Sequence, residues 1–294
     1  MEQVLQQLIN GLSLGSIYAL IALGYTMVYG IIQLINFAHG DVYMVGAYVG
    51  YVCMTHLHIG FFPSLVVAMA ACAVLGMVIE RVAYKPLRHS TRIAVLITAI
   101  GVSLLLEYTM MYFAGAAVRS YPELPAYLTR SFHFGGVVVT SLQISIVAVS
   151  VILMVALQFI VRRTKLGKAM RAVSQDQDAA RLMGISVDNT ISFTFALGSA
   201  LAGAAGVLVG VYYNSINPLM GILPGLKAFV AAVFGGIGLI PGALLGGYVI
   251  GAIETLVSWV GFSTFRDAVV FAVLIIVLIV KPSGILGKNV REKV

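Results

Sequence analysis

Four ionisable residues lie within otherwise apolar stretches of this sequence. Asp41 and Glu107 fall in its first half, and Lys227 and Glu254 fall in its second half. An ionisable side chain inside a membrane helix is costly to bury, and it commonly marks a pathway for solutes or ions. The four groups could therefore form a proton or ion relay. The alternative is that each lies at an interface or is paired structurally, and their scatter over separate segments gives ion coupling only thin support.

Sequence motifs for catalysis or nucleotide hydrolysis are absent. The chain has no GxxxxGKS/T phosphate-binding loop, because the run from Gly284 to Lys288 has the wrong spacing and is followed by Asn289 instead of Ser or Thr. It also lacks HExxH, GxSxG and a close Cys/His cluster. Cys53 and Cys72 lie in apolar runs, as small core residues do. The sequence therefore predicts no enzyme active site, no metal site and no cofactor.

One long polar segment, residues 162–185, interrupts the apolar chain and holds six of its eighteen basic residues. Its second half predicts a short helix, which Ser174 caps together with Gln177 as a capping box and which Gly184 ends. Three apolar side chains then share one side of this helix: Ala179, Leu182 and Met183. So short a helix is marginal in water by itself, which implies a partner surface. The alternative is a solvated loop whose arginines only set the membrane orientation.

Composition identifies the class of protein. Sixty per cent of the 294 residues are hydrophobic, ten per cent are charged and the mean hydropathy is +1.01, which excludes an ordinary soluble domain. At about 20 residues per crossing, the length admits eight or nine transmembrane helices. The net charge of +7 does not indicate nucleic-acid binding, because the basic residues gather at the ends of apolar runs. We predict an all-α polytopic membrane protein forming a single domain over residues 1–294.

Two of the apolar runs are interrupted. In residues 34–48, the polar residues Asn36, His39 and Asp41 break an apolar stretch, and in residues 235–242 a Gly/Pro-rich break follows a short apolar run. A helix broken inside the membrane needs protein or a water-lined cavity to satisfy its freed backbone groups. Interruptions in both halves are typical of inverted-repeat transporters whose pathway lies between the halves. The alternative for the first interruption is an interfacial turn, with its polar side chains among the lipid headgroups.

The distribution of charge predicts which side of the membrane each loop occupies. Four basic residues between Arg81 and Arg92 mark a cytoplasmic loop, and the basic C-terminal residues 281–294 are predicted to be cytoplasmic as well. Residues 115–141 are rich in turn formers and poor in basic residues, so we expect them outside. The N-terminal segment has no Lys or Arg before Arg81, and we expect it to be the first membrane helix, with its sidedness open.

Four separated motifs resemble, in the same order, those of the permease subunits of bacterial ABC importers for branched-chain amino acids, in particular the shorter, H-type permease. They are INFAHGDVYM at residues 35–44, ERVAYKPLR at 80–88, GGIGLIPGA at 235–243 and PSGILG at 282–287. The likeness spans nearly the whole chain. It implies the ABC importer permease fold and a place in the bacterial inner membrane.

The resemblance also implies partners and a coupling site. The partners are a second, related permease, two cytoplasmic ATP-binding subunits, which hydrolyse the ATP, and a periplasmic protein that binds leucine, isoleucine and valine. The polar segment matches the family's cytoplasmic coupling loop, at about residues 162–188. The positions expected to couple to the ATP-binding subunits are Gln175, Asp176, Ala179, Ala180 and Gly184. Relatives often carry an acidic residue where this chain has Gln175. ATP-driven closure would push the short helix and open the pathway to one side at a time.

For the translocation pathway we expect four polar residues to matter: Asn36, His39, Asp41 and Glu107. A zwitterionic solute needs polar groups for its ammonium and carboxylate and an apolar wall for its side chain. Two other functions stay open at this point. One is an importer of the same architecture for urea, short amides or other amino acids. The other is an ion-coupled secondary transporter or channel that works alone.

Overall fold

A computed structural model of the chain describes residues 2–88, 90–134 and 136–287. Residues 288–294 of the predicted cytoplasmic tail therefore lie outside the described part. The elements follow in the order α1 Glu2–Ile32, α2 His39–Thr55, α3 Phe61–Ile79, α4 Arg92–Ala114, α5 Ala126–Thr129, β1 Ser131–Phe134, β2 Val137–Thr140, α6 Ser141–Arg163, α7 Lys165–Gln175, α8 Gln177–Leu182, α9 Val187–Tyr213, α10 Ile222–Gly235, α11 Ile240–Trp259 and α12 Arg266–Val280. A π-helical turn, Glu80–Tyr84, and a 3₁₀ turn, Lys85–Leu87, extend α3, and a 3₁₀ turn at Ser263–Phe265 precedes α12.

The described chain is a helical membrane bundle, as the composition predicts. Seven helical segments are long and apolar enough to cross a membrane, and they contain α1, α3, α4, α6, α9, α11 and α12. Two shorter helices, α2 with 17 residues and α10 with 14, pack among them. These nine helices fit the predicted eight or nine crossings. The exception to the all-α expectation is the β1/β2 hairpin, which belongs to residues 115–141 and lies outside the long helices.

Helices α1 and α9 form the centre of the bundle, and the most apolar 18 residues of each are 83% and 89% buried. Small residues allow α1 to pack closely against α11, with Gly11 next to Ala252 and Gly15 next to Tyr248. Helices α4, α6 and α12 bury few residues and expose apolar faces, as contact with lipid or with another membrane subunit requires.

The basic residues gather at one end of the bundle. That end contains the C-terminal end of α1, residues 80–92, α7, α8 and residues 281–287, which carry nine of the fifteen Lys and Arg residues in the described part of the chain. The positive-inside rule identifies it as cytoplasmic. At the other end, the Gln6 side chain of α1 donates a hydrogen bond to the Val138 carbonyl (3.0 Å) and accepts one from the Val138 N–H (2.8 Å). The N-terminal end of α1 and the hairpin are therefore external, which settles the sidedness that the sequence left open.

The first predicted interruption lies inside the protein. Helix α1 ends at Ile32, residues 33–38 return into the bundle, and α2 begins at His39. Asp41 in its first turn contacts Ser103, the middle residue of α4. Asn36, His39 and Asp41 are each at most 3% exposed, so the alternative of an interfacial turn with these side chains among the headgroups is wrong.

The second predicted interruption, residues 235–242, is present but is a turn at the cytoplasmic end. The Ile285 N–H, beyond the end of α12, donates to the Phe234 carbonyl there (2.8 Å). In this half the chain re-enters the bundle after residues 214–221, which begin at the external end, where Ile216 exchanges backbone hydrogen bonds with Arg119 (2.9 and 2.8 Å). Helix α10 begins just after these residues, with Gly225 so close to Gly40 of α2 that a Cβ on Gly225 would lie 2.9 Å from the Gly40 Cα. The N-terminal ends of the two short helices thus meet inside the bundle.

Candidate functional site

The polar segment folds as two helices, although the sequence predicts only the second. Thr164 caps α7, since its hydroxyl accepts a hydrogen bond from the Gly167 N–H (3.1 Å). Met170 and Val173 of α7 are buried against the bundle, while its basic residues face outward. The basic half of the segment is therefore an amphipathic helix that anchors the second half to the membrane body.

Asp176, and not Ser174, caps α8. The Asp176 carboxylate accepts hydrogen bonds from the N–H groups of Asp178 and Ala179, both at 2.9 Å. Ser174 lies in the last turn of α7, where its hydroxyl donates to the Arg171 carbonyl (2.8 Å). The predicted capping box is wrong because α7 continues through Ser174, so that Asp176 is the first residue to leave helical geometry.

Gly184 ends α8 as predicted. Its φ of 78° lies in the left-handed region, which glycine adopts without steric cost. The Gly184 N–H donates to the Arg181 carbonyl (2.9 Å), and the Ile185 N–H donates to the Ala180 carbonyl (3.0 Å). This pair of bonds is a Schellman motif, so both ends of the short helix are satisfied.

One side of α8 faces the protein and the other faces solvent. Ala180 is buried, whereas the other four predicted coupling residues are exposed: Gln175, Asp176, Ala179 and Gly184. Leu182 is 89% exposed and Met183 is 82% exposed. Two large apolar side chains held outward at the cytoplasmic end form a surface suited to contact with another protein chain.

Ion pairs join the start of α9 to the turn between α3 and α4. Arg88 pairs with Asp188 (2.6 Å) and with Glu80, and Lys85 also pairs with Asp188 (2.7 Å). Glu80 is fully buried, so removal of Arg88 would leave a charge without its partner. A cavity of about 330 Å³ lies between this network and α8. Asp188 follows the polar segment by three residues, so the network braces the point where the segment rejoins the membrane body.

The turn between α3 and α4 also contacts residues 33–38, the interruption between α1 and α2. The Tyr84 hydroxyl donates to the side-chain oxygen of Asn36 (2.8 Å), and the Asn36 carbonyl accepts the N–H of His39 at the start of α2 (3.1 Å). Asn36 thus connects the cytoplasmic turn to α2. A cavity between α2, α4 and α10 is lined by Asp41, and Asn36 does not line it. Tyr84, Arg88 and Glu80 were missed as individual site residues, although they lie in the ERVAYKPLR motif.

His39 also lies away from that cavity. Its ring packs edge-to-face on Tyr25, with 4.7 Å between the ring centroids, and the side chain is 1% exposed. Gly24 of α1 leaves the space that the imidazole occupies. The surroundings of His39 are those of a packed core residue.

The two predicted carboxylates are brought together. Ser103 donates its hydroxyl to Oδ2 of Asp41, and Glu107, one turn further along α4, faces the same carboxyl group. Both carboxyl groups line a cavity of about 340 Å³ between α2, α4 and α10. The wall of this cavity, which we call the acidic cavity, is otherwise largely apolar: Tyr25, Phe37, Leu96, Ile100, Ser103, Leu104, Gly221, Ile222, Gly225 and Leu226.

The other two intramembrane ionisable residues pair with each other. Lys227 Nζ lies 2.9 Å from a Glu254 oxygen and 2.6 Å from Asp267, and the Tyr18 hydroxyl donates to Glu254 (2.7 Å). The described residues of this cluster and of the acidic cavity have no partner in common. The four groups that could form one relay therefore form two clusters.

Comparisons of sequence place these features among known transport proteins. A family described as "Branched-chain amino acid transport system / permease component" matches residues 7–278. The chain is 45% identical to the high-affinity branched-chain amino acid transport system permease protein BraD of Pseudomonas aeruginosa, over 99% of this chain and 98% of that protein. It is 44% identical to LivH of Escherichia coli K12, a permease protein of the same description, over 99% and 97%. The ribose import permease RbsC of E. coli is 27% identical over 75% of this chain.

A solved structure supports the fold. The structure of PsaBC from Streptococcus pneumoniae in complex with Fab aligns with this protein over 93% of this chain and 91% of the PsaBC chain. The TM-score is 0.51 and the sequence identity is 11%. The seven candidate spans and the bacterial permease relatives make the chain a multi-pass inner-membrane protein. Because the family match and the 44–45% identities cover nearly the whole chain, this protein belongs to the family of permease components of branched-chain amino acid transport systems.

Proposed function

We propose that this chain forms one half of a pathway that imports leucine, isoleucine and valine, driven by ATP hydrolysis in separate cytoplasmic subunits. The complete importer would contain a second, related permease, two ATP-binding subunits and an external binding protein that selects the solute. The solute is inferred from BraD and LivH, at 45% and 44% identity, both of which are named as branched-chain amino acid permeases. Urea or short amides, the other cargo that we considered, have no such support.

The single observation that carries the mechanism is the exposed apolar tip of α8. Leu182 and Met183 point outward from a helix that is capped at both ends and braced by α7. We propose that an ATP-binding subunit receives this tip in a groove, as other proteins receive the apolar face of a short helix. Gln175, Asp176 and Ala179 would lie at the rim of that contact, and Gly184 would set the direction in which the helix leaves it.

Movement of α8 would reach the pathway along two routes. One is covalent, because α9 begins five residues after α8 ends and runs through the centre of the bundle. The other is a series of contacts from Asp188 to Arg88, through the turn to Tyr84, and from Tyr84 to Asn36 at the start of α2. A π-helical turn such as Glu80–Tyr84 often marks a functional site in a helix, and here it lies midway along the second route. In this proposal Asn36 transmits movement, His39 holds α2 in place, and Asp41 with Glu107 faces the solute.

The test is a matched pair of leucine substitutions in the complete importer. Leu182→Ser removes an apolar side chain from the tip of α8, and Leu166→Ser makes the same change at a half-exposed position of α7. Loss of a central apolar contact typically weakens an interface by about 2 kcal/mol or more, roughly thirtyfold. We expect Leu182→Ser to reduce both co-purification of the ATP-binding subunits and ATP-driven leucine uptake into proteoliposomes, with Leu166→Ser close to wild type. Wild-type co-purification and uptake with Leu182→Ser would refute the docking role of α8.

A further inference from the structure

The acidic cavity contains a buried carboxylate oxygen that lacks a partner. Oδ2 of Asp41 accepts the Ser103 hydroxyl, but Oδ1 has no hydrogen-bond partner, although the side chain is 2% exposed. Leaving a buried acceptor unsatisfied is costly, and such an atom in a native protein calls for an explanation. This oxygen lies beside Gly221, which also lines the cavity, so a donor from a molecule bound at this end of the cavity can satisfy it.

The charge of the cavity selects the kind of donor. Asp41 and Glu107 are its two carboxyl groups, and no Lys, Arg or His occurs among the described residues that line it. The Glu107 side chain is itself 6% exposed, so the pair is largely shielded from water outside the cavity. Two shielded carboxyl groups without a basic neighbour favour a cationic donor, and charge-assisted hydrogen bonds of this kind are the stronger ones.

The size and wall of the cavity fit a small aliphatic amino acid. Its volume of about 340 Å³ is at the lower end of the range of small-molecule sites. Five aliphatic side chains line it: Leu96, Ile100, Leu104, Ile222 and Leu226. They supply an apolar surface for a branched side chain, beside the carboxyl groups that take the ammonium.

The beginning of α10 lies beside Asp41 in the same cavity. Ile222, Gly225 and Leu226 from its first turns line the cavity, and Gly221 precedes them. The N-terminal end of this 14-residue helix carries partial positive charge, and the nearest carboxylate is that of Asp41, whose Oδ1 would lie 2.8 Å from a Cβ on Gly221. The helix end therefore helps to hold the Asp41 carboxylate at the cavity.

We propose that the acidic cavity is an amino-acid subsite within this chain, in which Asp41 and Glu107 bind the α-ammonium group and the aliphatic wall takes the branched side chain. This inference rests on the proposed import function and goes beyond it, because it assigns part of the selection for amino acids to the permease itself. Neutral amides and carboxylic acids of the same shape would lack the group that Asp41 recognises.

The test measures binding without ATP and without the external binding protein. The permease pair with its ATP-binding subunits is placed in nanodiscs, and L-[³H]leucine binding is competed with isoamylamine, which keeps the ammonium, or with 4-methylpentanoate, which lacks it. We expect the amine to compete at least about tenfold better than the acid. In Asp41→Asn and in Glu107→Gln we expect leucine to bind about tenfold more weakly and the preference for the amine to shrink, whereas Asp41→Glu restores both.

The control is Tyr108→Phe, which removes a hydroxyl next to Glu107 on α4 from a side chain that is exposed and does not line the cavity. It should bind leucine like wild type. The proposal is overturned if wild type does not bind leucine, if the acid competes as well as the amine, or if both neutral variants bind leucine within threefold of wild type. If Asp41→Asn does not assemble, Glu107→Gln decides. The binding assay needs no ATP, so its outcome does not depend on whether α8 docks to the ATP-binding subunits. That docking is tested by the Leu182→Ser experiment alone.

Discussion

The ammonium group of Lys227 lies 2.9 Å from the carboxylate of Glu254, and both side chains are buried. Asp267 lies on the other side of Lys227, at 2.6 Å, and Tyr18 donates to Glu254. The cluster therefore joins α1, α10, α11 and α12. A charged pair in this position is expensive to desolvate, but once it is formed the loss of either partner leaves the other buried charge with a weaker set of contacts.

Lys227→Met should destabilise the bundle by about 3 kcal/mol, because the buried Glu254 then keeps only the longer contact with Arg266, whose Nε lies 3.5 Å away. The measurement is thermal unfolding of the detergent-solubilised protein. Lys227→Met combined with Glu254→Gln should recover part of the lost stability, since the buried Glu254 charge is then removed while Asp267, which is one-third exposed, still lacks Lys227. An unchanged melting temperature in the single variant would show that the pair does not hold these helices together.

Gly184→Val should reduce leucine uptake and uncouple it from ATP hydrolysis. A Cβ at Gly184 would meet no atom within 4 Å, so the cost is the left-handed backbone, about 1–2 kcal/mol. Gly261→Val is the matched control, because Gly261 has a φ of 96° and equally open surroundings but lies beyond the external end of α11. The ratio of leucine imported to ATP hydrolysed should fall for position 184 alone. Equal ratios in the two variants would contradict the coupling role.

Asp176→Ala should fray α8. The lost cap is worth about 1 kcal/mol, since two backbone N–H groups lose their acceptor. Hydrogen exchange of the α8 amides should become about fivefold faster, with a smaller loss of uptake. Ser174→Ala removes the cap that sequence reasoning predicts, and it should leave the α8 amides unchanged. If Ser174→Ala accelerates exchange of the α8 amides more than Asp176→Ala does, Ser174 is the cap.

Tyr84→Phe should slow uptake a few-fold while the ATP-binding subunits still co-purify. The change deletes the hydroxyl that donates to Asn36, a hydrogen bond worth about 1 kcal/mol, and leaves the ring packed on Phe195. Asn36→Ala should add little to it, because both changes break one contact. Tyr112→Phe, at a residue 84% exposed, serves as the control. Fully additive effects of the first two changes would mean that Tyr84 and Asn36 act independently.

Several features were predictable because they depend on local sequence. The long apolar runs, the basic loops and Gly184 each carry their signal within one stretch, since membrane insertion, orientation and helix termination are local properties. The Ser174 cap was wrong because α7, a helix that the sequence analysis did not predict, extends through that residue.

The sequence by itself determined that this is a helical membrane protein, which end of it faces the cytoplasm, and the family to which it belongs. Only the tertiary structure decided which polar residues share a site. Asp41 and Glu107 are 66 positions apart and meet across α2 and α4, while His39, two residues from Asp41, faces the core. A helix turns about 100° per residue, so neighbours in sequence point in different directions, and contact between distant helices depends on how their surfaces pack.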